Sequence, residues 1–373
     1  MKFQTRAATV LLLVLICIEV AHAGSPPQLS VTQRTFGAQT IEVPAFELPP
    51  SELLSKASID ELRWWANMSE AVLTRCSYSG RTPAEIIAAR RCLDQFYFPA
   101  LLQKHKRKYS VEIKQRMIGG IPTEEFMPTK GVLRRNRGRV LINLHGGSFQ
   151  VMGRWGGEVE SIPIAAVARI KVVSVDYRMA PEAKFPAASE DVAAVYRALL
   201  SQYRPEDIGI YGCSAGGILT AEAMAWFQKE GLPSPGAVGM FCGAAVPPES
   251  TDSTRFMAAV LGSSESGGAV IDLPYFKGAD PKSPLVYPGL DSTVLAKFPP
   301  SLLISGTRDP LLSSVLSTHA KLVSLGVKAD LHVWEGQVHG FLFDPDMEES
   351  QSAYKVIAKF FDENLAVSKS SGK

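Results

Sequence analysis

What this chain lacks first is an excess of charge of either sign. Its 39 Lys and Arg against 37 Asp and Glu leave a net +2, which gives no reason to invoke a nucleic-acid partner. The basic runs Lys104-His105-Lys106-Arg107-Lys108 and Arg134-Arg135-Asn136-Arg137 read as solvated faces and turns. It also lacks internal repeats, which leaves a solenoid or propeller without support. Its apolar run Ala7 to Ile18 is too short to span a bilayer comfortably and is interrupted by Glu19. Cysteine and histidine are sparse, five and six residues. The 46% hydrophobic content excludes global disorder, and 373 residues can bury the core of one large α/β domain, with or without a subdomain.

Lys2 and Arg6, the apolar run behind them, and Ala21-His22-Ala23 before Gly24 have the parts of a secretory signal. The expectation is cleavage after Ala23 and a secreted or periplasmic chain without a stable membrane span. Four cysteines then remain in an oxidising compartment, where three pairings exist on paper. Cys76 and Cys92 flank the turn-rich stretch Ser77 to Pro83 between two helical patterns, which favours a staple across a helical hairpin. Two free buried thiols are the alternative there. Cys213 and Cys242 end two β-like runs and read first as core residues and second as a pair. The sequon Asn67-Met68-Ser69 matters only in a glycosylating host.

A Pro-rich stretch to Pro50 precedes two helical patterns, Ile59 to Arg75 and Ala84 to Lys104. Residues 24–110 are therefore expected to be an N-terminal extension and helical cap, and 111–373 the main domain. β-like runs follow at Val140–Leu144, Val172–Val175, Ile208–Tyr211, Val238–Phe241, Leu302–Ile304 and Leu331–Trp334. Most are continuously apolar, as suits strands covered on both faces. Helical patterns lie at Ile162–Arg169, Ala187–Leu200, Ala215–Lys229, Ser314–Leu325 and Ser350–Leu365. That alternation implies an α/β fold with a largely parallel sheet between helices. The Gly-, Ser- and Pro-rich interval from about 247 to 300 breaks it and reads as an insertion over one end of the sheet.

The run Ile208 to Gly217 ends a strand pattern with GxSxG and opens into a helix pattern. That context marks a nucleophile elbow, in which the glycines allow a sharp strand-to-helix turn and hold the Ser214 hydroxyl at its apex. A serine hydroxyl needs a base to take its proton and a carboxylate to orient the base. His339, in the glycine-flanked Gly336-Gln337-Val338-His339-Gly340-Phe341, follows a strand end; His105, His319 and His332 have ordinary structural readings. Asp309 follows another strand in the same way. Asp330, at the wrong end of a strand, and Asp344, after the histidine, are weaker acids for the role. His145-Gly146-Gly147-Ser148 follows a fourth strand, where glycine amides can approach a developing oxyanion beside the Ala215 amide.

At these residues the sequence resembles the hormone-sensitive-lipase-like carboxylesterases of the α/β-hydrolase superfamily. The resemblance runs through His145-Gly146-Gly147, Asp176 to Glu182 with Phe185 to Ala188, Glu190-Asp191, Gly212 to Gly217, Asp280 to Pro284, Asp309-Pro310-Leu311 and His339-Gly340-Phe341, and covers about Val140 to Leu365. It implies an eight-stranded, mostly parallel sheet with helices on both faces, a helical cap and no metal or organic cofactor. It also implies Ser214 as nucleophile, His339 as base, Asp309 as its orienter, and Gly146, Gly147 and Ala215 as oxyanion donors.

The family usually has glycine where this chain has Ser148 and Asp where it has Cys213. The first change is expected to affect the pocket, and the second packing rather than chemistry. Phe149, Met152 and Trp155 are candidates to line a crowded substrate pocket favouring short- to medium-chain esters. A small-molecule ester is the expected partner, and a homodimer is compatible with the sequence. The alternatives are a catalytically silent hydrolase fold used for binding or, among enzymes, an amidase or a lipase.

Overall fold

In the computed structural model, residues 47–76, 82–249, 251–260 and 270–366 are described. The signal segment 1–23 lies outside them. Helices α1 (Lys56–Arg75), α2 (Pro83–Phe96) and α3 (Phe98–Lys108) come first. One helical pattern was expected over Ala84–Lys104. It divides at Tyr97, where Pro99 starts a new helix with no amide to give the preceding turn.

The sheet contains β1 (Val111–Ile118), β2 (Ile121–Pro128), β3 (Val140–Leu144), β4 (Lys171–Val175), β5 (Ile208–Cys213), β6 (Ala237–Phe241), β7 (Ser301–Arg308) and β8 (Ala329–Val338). Their order is β1-β2-β4-β3-β5-β6-β7-β8. β2 is antiparallel to both neighbours, and every later pairing is parallel. The remaining helices are α4 (Gly153–Ala168), α5 (Ala187–Leu199), α6 (Ala215–Glu230), α7 (Asp252–Val260), α8 (Ser292–Leu295), α9 (Leu312–Ser324) and α10 (Glu348–Asn364).

The apolar strands are continuous because both faces are covered, and their residues sort by parity. Val140, Ile142, Leu144, Ile208, Ile210, Val238 and Met240 enter the core shared with α5, α6 and α9. Leu141, Tyr211, Cys213, Phe241 and Ile304 enter the opposite core, under α4 and α10. The second core also takes Trp65 of α1 and Phe98, Leu101 and Leu102 of α3. Hence α3, within the segment expected to be cap, lies in the sandwich against α4. The expected insertion supplies Tyr275, Phe276, Tyr287 and Leu295 to the first core.

The Cα atoms of Cys76 and Cys92 lie 5.6 Å apart across the α1–α2 hairpin, within the reach of a disulfide; Cys213 and Cys242 are buried. The first basic run is solvated at Lys106, Arg107 and Lys108, as expected, but not at its first two residues. Lys104 and His105 are buried, because Lys104 bonds Asp344 at 2.8 Å and pairs with Glu61, while burial pushes the His105 pKa down to about 4 and keeps its ring neutral. Trp65 Nε1 donates to the same Asp344 carboxylate at 2.8 Å. The second basic run is the exposed turn expected, apart from buried Asn136.

Asp344 is fully buried, so removing its cation strands a charge. Lys104→Met is expected to destabilise the fold by about 3–5 kcal/mol in urea titrations. Lys104→Met with Asp344→Asn should recover much of that loss, because the two sites are coupled. Equal losses in the single and double variants would count against the pairing.

Candidate active site

The serine of the GxSxG segment sits between β5 and α6 with φ 59° and ψ −121°. This left-handed, strained backbone is what lifts the side chain off the strand end. It is fixed by the Ser214 amide donating to Phe241 O of β6 at 2.8 Å and by Gly217 and Ile218 amides returning to Ser214 O. Gly212 and Gly216 leave no space for a Cβ, since either would strike the Leu144 carbonyl of β3. The sharp turn and close approach read from the sequence therefore both require glycine here.

Two loops at the same sheet edge meet this serine. His339 follows β8, and its Nε2 lies 2.9 Å from Ser214 Oγ. Its Nδ1 lies 2.7 Å from Asp309 Oδ1. With the proton on Nδ1 donated to the carboxylate, Nε2 is free to accept the serine O–H. Asp309, just beyond β7, also accepts the Leu311 amide at 2.8 Å and the Ser305 hydroxyl at 2.9 Å. Burial alone would raise the Asp309 pKa, but His339 and these donors outweigh it and leave it below its ordinary value. All three side chains are buried, with Asp309 fully enclosed. Ser305 was not singled out from the sequence; only its place four residues before Asp309 on the same strand end could have suggested it.

The other acids and histidines fall elsewhere. Asp344 holds Lys104, and Asp330 is on β8 opposite Leu302. His332 stacks on Trp334, and His319 Nε2 meets Ala329 O at 3.2 Å. Cys242 Sγ lies near the reacting carboxylate and imidazole. Cys213 points into the core beside it, where burial raises its thiol pKa well above normal. That agrees with a packing role.

The glycine loop after β3 brings one correction. The Gly146 amide donates to Glu160 Oε1 at 2.8 Å, so it is committed and cannot serve an oxyanion. Gln150 and Val151 amides close a tight turn onto Gly147 O. Among the described residues the amides of Gly147, Ser148 and Ala215 have no hydrogen-bond partner in the protein. Gly147, Ser148 and Phe149 have φ of 104°, 55° and 56°. Ser148 thus occupies a left-handed conformation that a glycine adopts without cost, at a penalty of roughly 1–2 kcal/mol. His145 is stacked flat on Tyr177 at 4.1 Å, whose hydroxyl donates to His145 O at 2.6 Å. Burial lowers the His145 pKa, so it is a neutral brace for the loop.

A second correction concerns Phe149. It is fully buried and stacked on Tyr275 at 4.7 Å, with Phe276 edge-on at 5.1 Å. The left-handed turn at Ser148 swings it into the first core, so it does not line an open pocket. Met152 and Trp155 are half-buried and pack toward the second core, on the other side of the sheet.

A parallel sheet bearing a serine, histidine and aspartate at one edge, with free amides beside the serine, defines a serine hydrolase architecture. A family model described as alpha/beta hydrolase fold matches residues 141–343, and the chain belongs to that family. An acetyl-hydrolase of Streptomyces hygroscopicus is 28% identical over 235 residues, 61% of this chain and 76% of that protein. A crystal structure of an esterase superposes with a TM-score of 0.74 at 30% identity, covering 88% of this chain and 99% of the other. An esterase from the bacterial hormone-sensitive lipase family superposes at 0.68 with 26% identity, covering 80% and 97%. The resemblance to hormone-sensitive-lipase-like carboxylesterases is thereby supported.

Ser214→Ala, His339→Ala and Asp309→Asn should each lower kcat on an ester by several orders of magnitude in proteins with native circular dichroism. Their losses should not add, because the three side chains act as one unit. Near-wild-type turnover by folded His339→Ala would sink this assignment.

Proposed function

We propose that this chain hydrolyses carboxylic esters through an acyl-enzyme on Ser214. The single observation carrying the proposal is the continuous relay Ser214 Oγ, His339 Nε2, His339 Nδ1, Asp309 Oδ1, with contacts of 2.9 and 2.7 Å. His339 takes the serine proton as Oγ attacks the ester carbonyl, then returns it to the departing alcohol. Water, deprotonated by the same imidazole, releases the acid. Asp309 holds the ring in the tautomer that leaves Nε2 free. The amides of Gly147, Ser148 and Ala215, the last at the positive end of α6, receive the oxyanion. The intact histidine and carboxylate argue against a silent binding protein.

The same reading takes the substrate as a compact ester. Phe149, Tyr275, Phe276 and Phe185 form one contiguous aromatic cluster behind the oxyanion loop, with rings 4.7–6.5 Å apart. A wall so filled does not yield to a long acyl chain, because overpacking costs more than the ~0.8 kcal/mol gained per buried methylene. The acetyl-hydrolase name of one relative agrees with a short acyl group. We expect kcat/KM to peak with acetyl to hexanoyl esters and to fall beyond about ten carbons. A p-nitrophenyl ester series below each solubility limit tests this; highest efficiency on emulsified triacylglycerol would move the protein to the lipase reading.

Secretion with cleavage after Ala23 belongs to the same proposal, as does a Cys76–Cys92 disulfide. No helix among the described residues is long and apolar enough to cross a membrane. Protein recovered from its native host should begin at Gly24, and non-reducing peptide maps should link Cys76 to Cys92. Both thiols alkylating freely in native oxidised material would overturn the disulfide.

A further inference from the structure

Glu160, in the middle of α4, is a buried carboxylate that the proposed reaction does not itself use. It is surrounded by N–H donors from both halves of the site. Oε1 accepts the Gly146 amide at 2.8 Å, and Oε2 accepts Asn143 Nδ2 at 2.9 Å and the Cys213 amide at 3.3 Å. Gly146 immediately precedes the free amides of the oxyanion loop, and Cys213 immediately precedes the nucleophile. Asn143 is itself fixed by the Ser174 hydroxyl donating to its Oδ1 at 2.8 Å. Each of these hydrogen-bond partners of the carboxylate is a donor, so its ionised form is the one this geometry satisfies.

Resting on the acyl-enzyme reading, we propose that Glu160 is a positioning residue that locks the oxyanion loop to the nucleophile strand and so sets the aim of the Gly147 and Ser148 amides relative to Ser214. The two segments come from different strand ends, β3 and β5, and one rigid carboxylate spans both. A glutamine at 160 has the same shape but turns an N–H2 group toward one of these N–H donors. That contact becomes a repulsion, and the loop loses its tie on one side.

Burial raises the Glu160 pKa to about 8, against the lowering by Asn143, Gly146 and Cys213. The titratable groups facing it are Tyr177 after β4 and Tyr211 and Cys213 on β5. Burial raises all three well above their ordinary values, so they stay protonated. Below about pH 8 Glu160 carries a proton that has no acceptor among its partners, and the loop tie weakens. Wild-type kcat is therefore expected to rise through a step near pH 8.

The test compares wild type with Glu160→Gln on p-nitrophenyl acetate and with an alkyl trifluoromethyl ketone, which forms a hemiketal oxyanion on the serine. Expected for folded Glu160→Gln are a kcat lower by about 100-fold, KM within about threefold, and ketone affinity weakened in parallel with kcat/KM. The pH 8 step should also disappear. A kcat within threefold of wild type, or a KM rise that accounts for the whole loss, overturns the proposal. If Glu160→Gln does not fold, Asn143→Ala, which removes the Nδ2 donor to Oε2, decides: a lowered kcat with KM within about threefold supports the tie, and an unchanged kcat overturns it. Wild-type activity insensitive to Ser214→Ala would instead overturn the acyl-enzyme reading, so the two failures are distinguishable.

Discussion

The backbone approach of β3 to the turn between β5 and α6 is the constraint on which the site depends. The Leu144 carbonyl sits where a Cβ on Gly212 or Gly216 would be. Because the strand end and the helix start share that space, the loop leaving β3 runs directly past Ser214, and its amides lie beside the serine. A parallel register, Leu144 opposite Gly212, makes the approach possible: both strands end at the same edge, so both outgoing loops emerge together. β6 adds the third fixed point by accepting the Ser214 amide. The nucleophile's strained φ is thus held by three neighbouring strands rather than by its own loop.

The histidine arm depends on a different part of the chain. His339 leaves β8 through Gly340, at φ 71°, into a short turn ending at Asp344. That residue is clamped by Trp65 and Lys104 from α1 and α3, and His105 Nε2 donates to Phe343 O at 2.9 Å. The N-terminal helices therefore stabilise the loop carrying the base through Phe343 and Asp344. α2 does the same for the opposite wall, where Arg90 donates to the carbonyls of Gln150 and Ala180 and pairs with Glu182. A segment that reads in the sequence as a lid is in large part the frame that holds two functional loops in place.

The strand-end logic was legible because it rests on local chemistry. Apolar runs bounded by Gly, Ser and His locate β3, β5 and the loop beyond β8, and all six β-like runs lie within β3 to β8. β1 and β2 were not among those runs: β1 is polar on a largely exposed edge, and β2 alternates only in part, so neither stands out as an apolar stretch. α4 was read as starting at Ile162 because its first turns hold three glycines and it contains Pro163; tertiary packing on both α3 and α10 overrides that weak propensity. Glu160 could not be assigned from sequence, since an acid in a helix is ordinarily a solvated one. What would have hinted at it is its setting between Val159 and Ile162, inside the apolar stripe rather than opposite it. Gly146 was misread for a related reason: sequence shows which residues can present amides, but not which amides a distant carboxylate has already taken.

The two departures from the family pattern carry different physical weight. At Ser148 the oxyanion function is carried by a backbone amide, which serine supplies as well as glycine, so the substitution acts through conformation alone. Its left-handed φ is retained because Phe149, next along the chain, is anchored in the aromatic cluster with Tyr275 and Phe276, and burial of that ring offsets the local strain. At Cys213 the change removes a charge from a site that faces the core beside Cys242 and Glu160. A thiol there adds apolar volume against Phe241 and Tyr211 without another carboxylate near Glu160. Two buried acids at that junction would each raise the other's pKa, so the neutral side chain at 213 favours the ionised form of the carboxylate that the Gly146 and Cys213 amides address.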